Sequence, residues 1–125
     1  MSMLVSAKRE DLLKSRMVVP GVYPATITKV VQTNAKTDSS TNTTFTFVIN
    51  GGPFDGTPIE KLFNEKQIVA RAQELFSVLL KKRWEGEQID MENSVGKKLK
   101  IHVINDPGNK FGRPNDVDGY MPMES

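Results

Sequence analysis

The sequence predicts a mainly β chain, five strands rolled into a barrel with one amphipathic helix between the third and fourth. Three observations carry that expectation. Three segments alternate apolar and polar residues with the two-residue period of a half-buried strand. One stretch repeats apolar residues at three- and four-residue steps, the helical period. Glycine, proline and asparagine clusters punctuate the segments between them.

Taken in order, "MSMLVSAKREDLLKSRMVVPG" opens the chain, with Leu4, Leu12 and Leu13 too sparse for a full amphipathic helix. Residues 1–20 therefore read as an arm or short helix ended by Pro20-Gly21, and residues 21–125 as the folded domain. "VYPATITKVV" alternates, with Tyr23, Ala25 and Ile27 on one face and Thr26 and Thr28 on the other. Lys29-Val30-Val31 breaks the alternation, the mark of a bulge or of a strand leaving the core. The polar loop "QTNAKTDSSTN" leads to "TTFTFVIN", with Phe45, Phe47 and Ile49 on one side. "GGPFDGT" is a turn, and "PIEKLFN" a short third strand whose inward face the pattern leaves open. Ile68, Ala72, Leu75, Phe76, Leu79 and Leu80 form the apolar stripe of a helix from about Glu65 to Arg83. "WEGEQIDMENSVG" connects it to "KKLKIHVIN", with Leu99, Ile101 and Val103 inward and Lys98, Lys100 and His102 outward. After the loop "DPGNKFGRPN", "NDVDGYMP" makes a fifth strand.

Composition bounds the function. At 125 residues, with 38% hydrophobic and 26% charged residues, the chain is long enough to bury a core as one domain. It has no cysteine, so disulfides and thiolate metal sites are excluded. No apolar run reaches the length of a membrane span and the N-terminus lacks a signal-peptide core, so a cytoplasmic protein without a membrane partner is expected. The net charge of +2 hides local basic regions. Lys66, Arg71, Lys81, Lys82 and Arg83 crowd one, and Lys97, Lys98, Lys100, Lys110 and Arg113 another, separated by the acidic Glu85, Glu87, Asp90 and Glu92. Such a distribution suits a polyanionic partner.

Three strands, a helix and two strands, with long loops after the first and fourth, is the element order of the OB-fold. A generic α+β sheet domain is the other arrangement that this order allows. "PGVYPATITKV", "GPFDGTPI", "GKKLKIHV" and "NDVDGYMP" together resemble small phage-encoded single-stranded-DNA-binding proteins, over about residues 20–122. The resemblance implies an OB-fold, sequence-tolerant binding of single-stranded DNA, and a role in phage DNA replication or recombination within the host cytoplasm. It also implies contacts with replication or recombination proteins. The N-terminal arm, ordering on a neighbouring subunit, or pairing of edge strands leaves a homo-oligomer open. Many single-strand binders end in a long acidic tail, whereas "MPMES" follows Tyr120 here, so recruitment through such a tail is not expected.

Binding single strands without reading sequence needs cations along the backbone and aromatic faces for bases. The candidates are Lys110, Phe111 and Arg113 in the loop after the fourth strand, and Lys36 in the loop after the first. Lys98 and Lys100 on the fourth strand, and Lys61 and Phe63 on the third, complete the set. Phe45, Phe47, Trp84 and Tyr120 read as core or as cover for the apolar stripe rather than as stacking platforms. His102, the sole histidine, has no carboxylate partner evident in the sequence. Asp106, Asp116 and Asp118 are weighed as a Mg²⁺ site and set aside, because aspartates are common in turns. With no phosphate-cradling loop, nucleophile elbow or metal-ligand spacing, the expectation is a binding protein without cofactor or metal, not an enzyme. A protein-interaction OB-domain, an adaptor or an inhibitor, is the alternative.

Overall fold

A computed structural model describes residues 18–34, 40–105 and 115–123. Five strands form one antiparallel sheet: β1 (Gly21–Asn34), β2 (Thr41–Ile49), β3 (Pro58–Asn64), β4 (Lys98–Asn105) and β5 (Asn115–Met121). Their spatial order is β3-β2-β1-β4-β5, so the longest strand is central. Helices α1 (Ile68–Arg71) and α2 (Gln73–Leu80) lie between β3 and β4 in the chain, followed by a short 3-10 turn at Met91–Ser94.

β1 serves two neighbours. It pairs with β4 from Gly21↔Val103 to Thr26↔Lys98 and with β2 from Ala25↔Ile49 to Asn34↔Thr41, so Ala25 and Thr26 pair on both sides. The register slips between Ile27 and Lys29, a bulge close to where the broken alternation suggests one. A bulge bends its strand and increases the local twist, which curls the sheet. The edge strands then approach: Lys61 Nζ of β3 reaches Asp116 Oδ1 of β5 at 3.0 Å. No ladder joins β3 to β5 among the described residues, so the sheet is curled but not closed.

The inner face forms the core. Ala25, Ile27, Phe45, Phe47, Ile49, Leu99, Ile101, Val103 and Val117 are fully buried. Phe45 meets Phe63 edge to face at 5.9 Å, and Phe47 packs on Tyr120 at 5.8 Å. Val18 belongs to this core as well, although the expected division leaves it in the N-terminal arm. The Asn115 side chain holds it from both sides, accepting from Val18 N–H at 2.8 Å and donating to Val18 O at 2.9 Å. A peptide group buried at that depth needs both bonds satisfied.

The expected single helix from Glu65 to Arg83 is corrected to two short ones. Ala72 adopts φ −102°, ψ 8°, outside the helical basin, and divides them. The apolar stripe survives the break, with Ala72, Leu75, Phe76 and Leu79 buried. Trp84 covers its end, meeting Phe76 edge-on at 5.0 Å while its indole N–H donates to Glu87 O at 2.8 Å. α2 ends at Lys81, a non-glycine residue in the left-handed region with φ 60°. Lys81 N–H donates to Val78 O and Lys82 N–H to Ser77 O, the paired closure that a left-handed residue makes possible. None of the described helices is long and apolar enough to cross a bilayer.

Candidate nucleic-acid interface

The outer face of the sheet is what the fold leaves for a ligand. On β4, Leu99 and Ile101 are buried while Lys98 is exposed and Lys100 half-buried. Residues two apart on a strand lie about 6.7 Å apart on the same side. The two ammonium groups therefore form a short ladder, beside Thr26 and Pro24 of β1. No ion pair joins Lys98 or Lys100 to a described residue. Across β1, the bulge after Ile27 brings Lys29 opposite Thr46. Lys29, Val31, Thr33, Thr44, Thr46, Pro58 and Glu60 line a shallow outer groove of about 320 Å³ over β1, β2 and β3.

Lys29, Thr44 and Thr46 were not among the sequence candidates. The signal was the broken alternation at residues 29–31, which marked the bulge without giving its phase. Glu60 lines this groove together with Lys29, whereas Lys98 and Lys100 put two cations on the β4 side of the face.

The third-strand candidates are placed differently from the expectation. Ile59 and Phe63 face inward, and Lys61 lies between them on the same face. Phe63 is 2% exposed, so its ring has no open face on which a base could stack. It is core, not platform. Lys61 is committed to Asp116, whose two oxygens lie 3.0 and 3.1 Å from its ammonium. It ties the edge strands together instead of offering a free cation. Lys36, Lys110, Phe111 and Arg113 lie outside the described residues. Every aromatic in a described strand (Tyr23, Phe45, Phe47, Phe63 and Tyr120) is at least partly buried and belongs to or packs against the core. The outer face is thus cationic and threonine-rich without a described aromatic ring.

His102 has the partner that the sequence did not reveal. Its Nδ1 and Asp118 Oδ1 share a hydrogen bond across β4 and β5. Asp118 is the extra residue at a second bulge, between the pairs His102↔Gly119 and Val103↔Val117. The pair is partly exposed. Asp116 and Asp118 are held by Lys61 and His102 respectively, and no described group of three or more His, Asp or Glu residues is arranged to hold a metal ion.

Tyr120 lies at the junction of sheet and helix, where its backbone N–H donates to Glu74 Oε1 of α2 at 2.8 Å. Its hydroxyl is buried without a described partner. Burial, with Asp116, Glu74 and Asp118 adding negative potential, pushes that phenol far above its ordinary range. At the far end of α2, the Lys82 ammonium bonds Glu87 at 2.8 Å and, with nearby backbone N–H donors, holds its carboxyl down at about 2.

No protein-family model matches the chain, and a search of curated proteins finds no relative.

Proposed function

We propose that this chain is a sequence-tolerant single-stranded-DNA-binding protein on an OB-fold barrel, acting in phage DNA replication or recombination in the host cytoplasm. The observation that carries the reading is the β4 ladder: Lys98 and Lys100 project outward and are ion-paired to no described residue. The barrel is supported by the strand order with β1 at the centre, by the helices between β3 and β4, and by the Lys61–Asp116 link between the edge strands. The phage role rests on the resemblance of the "GVYPATI", "GKKLKIHV" and "GYMP" segments.

Binding through such a face is mainly electrostatic. Phosphates of an extended strand run along β4 and meet Lys98 and Lys100, while the threonines of β1 and β2 offer hydroxyls without selecting a base. Each neutralised phosphate of a single strand contributes a slope of about −0.7 to the logarithm of affinity against that of salt. The reading assigns no reaction to the chain. Fluorescence anisotropy of a labelled oligo-dT strand tests it, with duplex DNA of the same length as comparison. The expected result is tighter binding to the single strand, weakening steeply with salt. Equal affinity for the duplex, or no binding at low salt, contradicts it.

A further inference from the structure

A second surface adjoins the strand face, sharing Lys98 with it, where the end of α2 meets the end of β5. Ser77, Val78, Lys81, Lys98, Pro122 and Met123 line an open groove of about 650 Å³. Its walls are apolar: Val78 is half-buried against the core, and Met123 is 38% exposed. Two cations border it, and neither is used by the fold. The carbonyls ending α2 are already satisfied, Ser77 O and Val78 O by the backbone N–H groups of Lys82 and Lys81, and Leu79 O by the Lys97 ammonium at 3.4 Å. The nearby carboxylate Glu87 is taken by Lys82. The ammonium groups of Lys81 and Lys98 form no ion pair with a described residue.

We propose that this groove docks an acidic peptide segment of a partner protein, carrying at least one large apolar side chain. The charge of the rim selects that occupant. Two cations flanking an apolar floor match carboxylates that flank a leucine or phenylalanine, whereas a basic segment is repelled. The chain's own residues 1–17 carry Lys8, Arg9, Lys14 and Arg16 against Glu10 and Asp11, the wrong sign for this rim. Nucleic acid matches the lysines but not the apolar walls.

The test uses the full-length protein and a fluorescein-labelled peptide, GDDLDDFDD, in anisotropy titrations at low salt. Two control peptides replace every Asp by Asn, or Leu and Phe by Ser. The protein variant is Lys81→Gly/Met123→Ser. Glycine removes the ammonium at a left-handed position it prefers, so the fold is kept, and circular dichroism verifies this. Both residues lie off the outer strand face, so oligo-dT affinity of the same variant reports separately on the DNA reading. The expected result is binding of the acidic apolar peptide alone, weakened about fivefold in the variant, as loss of weak surface contacts implies. No binding, equal binding of either control peptide, or unchanged affinity in the variant overturns the proposal.

Discussion

Replacing Phe63 by alanine separates a core role from a stacking role. The ring is 2% exposed and meets Phe45 edge to face at 5.9 Å. Removing a buried phenylalanine costs about 3–5 kcal/mol, of which about 0.5–1.5 kcal/mol is the aromatic pair. Phe63 sits on an edge strand, where neighbours can relax into the space, so the lower end, about 3 kcal/mol, applies. For a domain of this size, that lowers Tm by roughly 10–15 °C. Urea unfolding followed by tryptophan fluorescence measures the loss through the midpoint, at an unchanged slope if the two states keep their compactness. Phe63→Leu keeps most of the volume and costs about 1 kcal/mol. It should leave oligo-dT affinity of the folded protein unchanged. Wild-type stability in Phe63→Leu together with a large loss of DNA affinity would refute the core assignment.

Three further outcomes follow from the same geometry. Lys81→Gly relieves a left-handed backbone and is expected to raise stability by about 0.5–1 kcal/mol, read as a higher urea midpoint; a lower midpoint contradicts the left-handed cap. Tyr120→Phe removes a hydroxyl buried without a described partner, and stability should stay level or rise by up to about 1 kcal/mol on thermal unfolding. A fall of several kcal/mol would mean that the hydroxyl has a strong partner. Glu87 has its carboxyl lowered from 4.5 to about 2 in the folded protein, so its contribution is present above pH 4.5 and disappears as pH falls towards 2. In Glu87→Gln that part of the acid limb should be absent, and a carboxyl carbon titration by NMR should find the Glu87 midpoint raised, but still below the ordinary value because the backbone donors remain, once Lys82 is replaced by Met.

Much of the strand pattern is legible because the alternation is local. Ala25 and Ile27, Phe45 to Ile49, and Leu99 to Val103 are buried as their two-residue period dictates. β3 is harder, because Lys61 shares a face with Ile59 and Phe63 and contradicts the apolar pattern. Only Asp116, 55 residues along the chain, makes that lysine acceptable at the inner edge. The same distance problem hides the His102–Asp118 bond, which depends on a bulge in β5. It also hides the capture of Val18 by Asn115, 97 residues away, behind a Pro-Gly boundary that looks decisive. The break at Ala72 carries no local mark, since alanine is a strong helix former and neither glycine nor proline is adjacent. At the candidate interface, the outward lysines of β4 are read directly from the alternation. Lys29 needs the phase of the bulge, which the sequence does not supply.

The most direct test of the account is the salt dependence of oligo-dT binding for the wild type and for Lys98→Ser/Lys100→Ser. Both substitutions are on the outer face and should change stability by no more than about 0.5 kcal/mol. Two lost phosphate contacts should make the slope of log affinity against log salt shallower by about 1.4, with weaker binding at low salt. An unchanged slope and affinity in the folded variant would contradict the claim that the β4 ladder carries the single strand.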